Sequence, residues 1–354
     1  MILRLANYIL RKLLFAVPTL LGLSLIILYT TTFLPPEERL KLFISPSRFQ
    51  VPWAPDPTSA LIEKYHLNDP FHIQYITWLG EVLKGNLGWS HLYDMPVANA
   101  ISNFFPATLE LVIYATPIII IGGYKLGVFS AKRAHKRAPR EDPIDFAVRT
   151  ITTLGYSVPS FCLGLLLLVI FYVGLSWVGL ERLGAEASAF IRSPQWTYYT
   201  GLYTIDAPLN GQFWVFSDAL RHLVLPVITL ATQMLTILVR ITRSGMVSEL
   251  VEPYIVSAKA KGLEEREVIK HPKKNSLISV LTVSGILFAS MLTGVVVTEY
   301  VFLMRGVGFL VVQAGNRYDF PLLVGVSLFF CVIFMLVNLI VDITYAYIDP
   351  RVKL

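Results

Sequence analysis

The sequence predicts an all-α polytopic membrane protein with six transmembrane helices and a large first extracellular loop. Three observations carry that prediction. Hydrophobic residues make up 55% of the 354 residues and charged residues only 15%, with mean hydropathy +0.60, whereas soluble domains carry about 25% charged residues. Several apolar runs reach the roughly 18–20 residues that cross a bilayer, a length that a soluble core does not need. Lysine and arginine fall unevenly on alternate connecting segments, the pattern that fixes orientation in a membrane.

Six runs qualify as spans: Leu13 to Leu34, Leu109 to Ser130, Ile151 to Val178, Leu223 to Ile241, Val280 to Leu303 and Leu322 to Tyr347. Lipid offers the backbone no hydrogen-bond partners, so each must be a helix or part of a closed barrel. The runs are continuous rather than alternating, which selects helices. Pro18, Pro117, Pro159 and Pro226 lie within or at the edges of these runs, and proline is tolerated in membrane bundles. The first run is longer than a signal-peptide core and no small-x-small cleavage site follows it, so it reads as a retained span.

Basic residues set the orientation. Arg4, Arg11 and Lys12, the group from Lys132 to Arg149, the group from Arg240 to Lys274, and Arg351 with Lys353 fall on one side. The other side has fewer, spread over longer loops, so both termini are placed in the cytoplasm of a multi-pass cell-membrane protein. The organisation follows: residues 1–34 hold the N-terminus and first span, 35–106 an extracellular loop, 107–349 a core with a cytoplasmic loop at 240–279, and 350–354 a cytoplasmic tail. In the first loop, Asp69-Pro70 resembles an N-cap followed by proline at the first helical position. Ile76, Leu79, Val82 and Leu83 follow at helical spacing, which predicts a short amphipathic helix on the outer surface. In the second outer loop, Trp196, Tyr198, Tyr199, Tyr203 and Trp214 read as an interfacial aromatic belt in preference to direct substrate contacts.

The net charge of +6 fits basic cytoplasmic loops against lipid headgroups, not nucleic acid. Cys162 and Cys331 sit inside apolar runs, which predicts no structural disulfide. The six histidines are scattered without metal-ligand spacing. No phosphate-cradling glycine loop, nucleophile elbow or His-Glu-x-x-His sequence occurs, so the chain itself is predicted to bind no ATP and to hold no catalytic residue, metal or cofactor. Glu110, Glu299 and Asp342 fall at span ends, where carboxylates reach water; a proton-coupled carrier places one near the midplane. A stand-alone secondary transporter or channel is the competing class, weakened by the lack of a midplane charge and of an internal repeat.

Two stretches carry functional information. In the cytoplasmic loop, Tyr254, Ser257, Ala258, Lys259, Lys261, Gly262 and Leu263 form a helix-compatible run of small residues with a basic rim and a capping glycine. Such a run can sit in another protein's groove or simply touch headgroups. On the fifth span, Gly285, Ala289 and Thr293 recur every four residues, beside Ser290 and Gly294. That stripe either packs helices closely, the preferred reading because polar groups are sparse, or lines a translocation path.

The loop resembles the coupling motif of ABC importer permeases, in the form found in the dipeptide/oligopeptide family, with Ser257, Ala258 and Gly262 at the motif positions. The resemblance runs along nearly the whole chain: Val17 to Gly22, Gly85 to Ser90, Pro106 to Leu111, Ser157 to Phe161, His222 to Pro226, Glu299 to Phe302 with Gly306 to Gly308, and Asp349 to Arg351. The sequence departs from the pattern at Ser279 and Arg305, each in place of a proline, and across a shortened His271 to Lys274. The resemblance implies the type I importer permease architecture and transport of peptides, or of oligosaccharides or nickel, by alternating access. It also implies a second permease subunit, two ATPase subunits carrying ATP and Mg, and an extracellular substrate-binding protein.

Overall fold

In the computed structural model, residues 2–45, 57–136 and 142–348 are described. The helices follow one another as α1 (Ile2–Thr31), α2 (Pro36–Arg39), α3 (Pro57–Lys64) and α4 (Phe71–Leu83). A two-stranded ribbon, β1 (Trp89–Ser90) with β2 (Met95–Pro96), precedes α5 (Val97–Pro117), α6 (Gly123–Lys136), α7 (Pro143–Ser157) and α8 (Ser160–Leu167). Next come α9 (Ala185–Phe190), α10 (Tyr203–Leu209), α11 (Phe213–Leu250), α12 (Pro253–Ala260), α13 (Glu265–Val301), α14 (Val307–Asn316) and α15 (Phe320–Ile348). Among the described residues, the regular structure is all-helical apart from that ribbon. Four helical stretches among the described residues are long and apolar enough to cross a membrane, and five if the bent pair α7–α8 counts as one.

The helix α11 is the spine. Two-thirds of its apolar window is buried, against 17% for α1 and for α15, which expose Leu14, Phe15 and Ile26, and Leu336 and Ile340, respectively. Helix α6 packs on it through small residues four apart. A Cβ at Gly123 would meet Leu238, and one at Gly127 would lie 2.5 Å from the Thr242 Cβ. Ala131, one turn further, is fully buried beside Met246 and Leu250. Without a hydrophobic driving force between helices in lipid, such close backbone approach supplies the packing.

The third predicted span needs correction. It is not one helix from Ile151 to Val178: α7 and α8 meet at 100°. The cause is local. Proline at 159 pushes its predecessor out of the helical region, and Val158 is extended at φ −82°, ψ 120°. The Gln233 side chain of α11 donates to the freed Val158 carbonyl at 3.0 Å, satisfying a group that lipid would leave orphaned. The second span is longer than predicted. Helix begins at Val97, passes through Pro106 and Pro117, takes a π-helical turn over Ile118–Gly122 and ends at Lys136. Of the fifth, Ser290–Val301 is the described apolar stretch of α13. The C-terminal residues Asp349 to Arg351 lie outside the described residues.

The connecting segments have cores of their own. Leu40, Leu42, Phe43, Ile62, Leu67 and Trp78 cluster between α1 and α15. Helix α4 is present, but its register differs from the prediction. Pro70, not Asp69, is the N-cap, and Asp69 instead pairs with His66 at 2.6 Å. Trp78 is buried, while Ile76 and Leu83 are 68% and 80% exposed. The aromatic belt also fails in part: Trp196 is buried in a core with Leu183, Ala187, Ile191 and Val215, and Tyr203 lies under the Arg182 guanidinium, 3.9 Å away.

Candidate functional site

The sequence between α11 and α13 is not a loop but a short helix set between two long ones. Glu252 precedes Pro253 at the first helical position, where the missing N–H is no loss. The other end closes as a complete Schellman motif: Leu263 N–H donates to Ala258 O at 3.3 Å, and Gly262 N–H donates to Lys259 O at 3.0 Å. Gly262 sits at φ +75°, a conformation glycine adopts without strain. Lys259 and Lys261 lie at the C-terminal end, where the helix dipole favours positive charge.

A clamp fixes this helix to both neighbours. Glu249, at the end of α11, accepts a hydrogen bond from the Tyr254 hydroxyl at 2.7 Å and another from the Asn275 amide of α13 at 2.8 Å. Burial, then the Glu249 hydrogen bond, push the Tyr254 phenol above its ordinary value, so it remains the donor. The Tyr254 ring meets His271 edge-on with centroids 6.4 Å apart, and Ile255 is 2% exposed. The opposite side is open: Val256 is 67% exposed and Leu263 46%.

Most of the predicted residues converge. Tyr254, Ser257, Ala258, Lys261 and Leu263 line one groove of about 440 Å³ with His271 and Asn275. Lys259 points elsewhere, its Nζ 3.5 Å from His135 Nε2 on α6, and Gly262 serves the backbone. Glu249, His271 and Asn275 escaped sequence reasoning. Glu249 had one available signal, its position five residues before a tyrosine at a helix end.

A second node stiffens this end. Asp145 of α7 is fully buried and accepts from Arg243 of α11 through both oxygens, at 2.7 and 2.8 Å. Ser130 of α6 adds a third hydrogen bond at 2.5 Å, and Arg149 lies 3.3 Å away. Three helices therefore share one carboxylate.

On α13, Ser290 and Thr293 are exposed, and Tyr300, seven residues past Thr293, is 43% exposed on the same face. Leu287, Met291 and Val295 are buried on the other side. Gly294 makes the close approach, where a Cβ would lie 2.8 Å from Leu230 of α11. The surroundings of Gly285 and Ala289 lie outside the described part of this helix.

The span-end carboxylates are not in water. Glu110 is 2% exposed and is held by Arg182 at 2.7 Å and by the Thr204 amide and hydroxyl, each at 2.7 Å. Glu299 is fully buried, accepting from Thr108 Oγ1 at 2.5 Å and from the Phe309 amide at 2.9 Å. Gly306 and Gly308 leave the room that carboxylate occupies. Both tie helices together, and only Asp342, paired with Lys12 at 2.8 Å, keeps a third of its side chain exposed.

Residues 123–354 match the model of the family described as "Binding-protein-dependent transport system inner membrane component". The chain is 33% identical over 350 residues to the oligopeptide transport system permease protein AppB of Bacillus subtilis, covering 98% of this chain and 99% of that protein. It is 34% identical to the dipeptide transport system permease protein DppB of Alkalihalophilus pseudofirmus, with 98% and 99% covered. It is 33% identical to the di/tripeptide transport system permease protein DppB of Pseudomonas aeruginosa, with 98% of each chain covered.

Proposed function

Starting from the fact that this chain belongs to the family of inner membrane components of binding-protein-dependent transport systems, we propose that it is a pore-forming permease subunit of an ATP-driven peptide importer. Its named relatives are peptide permeases, and their similarity spans the whole chain. ATP and Mg belong to two separate ATPase subunits; a second, homologous permease completes the pore, and an extracellular binding protein delivers the peptide. The topology that suits these partners has six spans and both termini in the cytoplasm, which puts α12 on the ATPase side.

The observation that carries the reading is the Glu249 clamp. A docking helix transmits force only if it moves rigidly with the helices that line the path. Tyr254 and Asn275 fasten α12 to both α11 and α13 through one carboxylate. Closure of the ATPases then displaces α12, and the two long helices follow, a differential contact of the kind needed to shift a two-state bundle. Val256, Leu263 and the groove beside them present apolar surface to the ATPase, with Lys259 and Lys261 at its rim. The exposed face of α13 with Ser290 and Thr293 turns toward the partner permease and borders the path, together with Gly285 and Ala289.

Replacing Val256 with aspartate tests this directly. A desolvated, unpaired charge in a docking groove weakens the interface at least about tenfold. Co-purification of the ATPase and peptide-stimulated ATP hydrolysis should both fall, while pairing with the second permease persists. Retention of both activities at parental levels rejects α12 as the docking helix. Peptide uptake by the purified chain alone, without ATPase or ATP, would favour a stand-alone transporter instead.

A further inference from the structure

At the end of the bundle opposite α12 lies a cavity of about 280 Å³ that the coupling reading does not use. Its walls come from three parts of the chain. Asn103 and Phe104 belong to α5, Leu303 and Arg305 to the turn between α13 and α14, and the rest to the segment from Glu181 to Tyr203. Arginine dominates its chemistry. Arg182 stacks on Tyr203 and binds Glu110 and the Gly201 carbonyl through Nη2, at 2.7 and 2.9 Å. Its Nε is buried without a hydrogen-bond partner. Arg305 stands 3.7 Å from Glu181, with both side chains at least half exposed, a pairing of little strength in water. No ion pair to Arg192 occurs among the described residues. Three guanidinium groups therefore stand among three carboxylates, Glu181 in the wall, Glu110 behind Arg182 and Asp206 close enough to act on Tyr198, and of the three arginines only Arg182 is held by a close, buried ion pair.

The backbone at this cavity is also held against preference. Glu181 and Leu303 both lie in the left-handed region, at φ +70° and +54°, which disfavours residues other than glycine. The Glu181 amide is fixed to Phe302 O at 3.0 Å. Strain of this kind marks places where a side chain must be aimed. The exposed face of α13 runs from Ser290 and Thr293 to Tyr300 and ends at Leu303, which lines the cavity. The cavity thus stands at the head of the face assigned to the path.

We propose that this cavity receives the free C-terminal carboxylate of an incoming peptide, with Arg192 and Arg305 as its ionic partners and Arg182 held in place by Glu110. The proposal rests on the peptide-importer reading and names the group by which the permease itself recognises its cargo. A guanidinium fork matches a carboxylate in shape as well as charge. The volume lies just below the roughly 300–1,000 Å³ of pockets that enclose whole small ligands, so it takes the end of a chain.

The test uses the complete transporter, with both permeases, ATPases and binding protein, in proteoliposomes supplied with ATP and a radiolabelled tripeptide. The double variant Arg192→Gln/Arg305→Gln should lower kcat/KM for uptake at least tenfold. Its affinity for loaded binding protein should stay within twofold of the parent, and Arg192→Lys/Arg305→Lys should recover most of the uptake. Unchanged uptake in the glutamine variant overturns the proposal. So does a loss matched by an equal loss of binding-protein affinity, which would assign the arginines to docking. If the parent transports no peptide, the peptide-importer reading falls and takes this proposal with it; the defect is then in the parent, not the variants.

Discussion

Replacing Asp145 with alanine removes the one carboxylate shared by α6, α7 and α11. What remains is Arg243, with 19% of its side chain exposed, facing a hole that it shares with Ser130 and a second guanidinium, Arg149. Ser130, fully buried, loses its acceptor as well. Removing one partner of a buried ion pair is worth about 3–5 kcal/mol, mostly from the charge left uncompensated. Arg243 keeps some access to water, which places the loss near ~3 kcal/mol. Asp145→Asn restores an acceptor for Ser130 but not the charge, so the loss should drop to ~2 kcal/mol. The measurement is reversible unfolding of the purified chain in mild detergent by added SDS, followed by helicity. A cycle with Arg243→Ala separates the pair from its surroundings. Removing both partners should destabilise by at least about 1 kcal/mol less than the two single losses added together. Strict additivity of the two substitutions would refute the claim that these groups act on each other. Because α11 carries α12, the same variants should also lower peptide uptake per ATP hydrolysed, if the helices below the pore must move as one body.

Other outcomes follow from the same geometry. Gly262→Val forces a β-branched residue into φ +75°; nothing crowds the position, so the loss, about 1–2 kcal/mol, should appear as poor ATPase co-purification with little change in expression. Gly127→Val drives a side chain into Thr242 and the Val239 carbonyl and should destabilise by about 1–3 kcal/mol in the unfolding assay; a stabilised variant would contradict the α6–α11 contact. Tyr254→Phe removes a hydrogen bond to a carboxylate, about 1.5–3 kcal/mol when well shielded and ~1 kcal/mol at this half-buried site. The raised phenol value means that this contribution is complete below the ordinary tyrosine range, near pH 10, and fades only above it, so the loss should be equal at pH 6 and pH 9. Thr293→Cys, in a chain lacking Cys162 and Cys331, should react with maleimide in the isolated subunit and be shielded on assembly with the second permease or by peptide; an unreactive isolated subunit would show that this face is closed within the chain.

Helices, their approximate centres and the short helix between α11 and α13 were legible because each leaves a one-dimensional trace. An apolar run long enough to cross a bilayer has few other uses, and a small-residue helix ending in glycine carries its cap in its own sequence. The 100° turn at Val158–Pro159 left a trace too, but an ambiguous one. Proline interrupts many membrane helices without breaking them, as Pro106 and Pro226 do here. What distinguishes Pro159 is a partner 75 residues beyond Val158, the Gln233 amide that donates to the Val158 carbonyl. Nothing near Pro159 announces it. The register of α4 went astray for a related reason. Its sequence offers apolar residues nearly all round, and the choice of Trp78 over Ile76 as the buried one was made by residues 40–44 and α1, which arrive from elsewhere in the chain.

Small residues and carboxylates show where local reasoning stops. Gly285, Ala289 and Thr293 drew attention by their spacing, yet the close packing described here runs through Gly123, Gly127 and Ala131, which have the same spacing within and just past the second predicted span. Spacing identifies a smooth stripe; it does not say whether another helix, a partner subunit or a substrate lies against it. Ser290 and Thr293 are exposed among the described residues, and exposure alone does not choose between those occupants. The carboxylates follow the same logic with opposite sign. Glu110 and Glu299 sit at span ends, where water is one way to satisfy a charge. A second way is to bring donors in, and Thr108, Arg182, Thr204 and the amide of Phe309 do so from four segments. Each such group costs desolvation, repaid only if every donor arrives together. That condition makes the loop end of the bundle stiff around Glu110 and Glu299, as Asp145 makes the opposite end stiff around α11. The middle of the bundle differs from both ends: the π-helical turn at Ile118–Gly122 and the α7–α8 bend interrupt the helices there without a shared carboxylate to bind them.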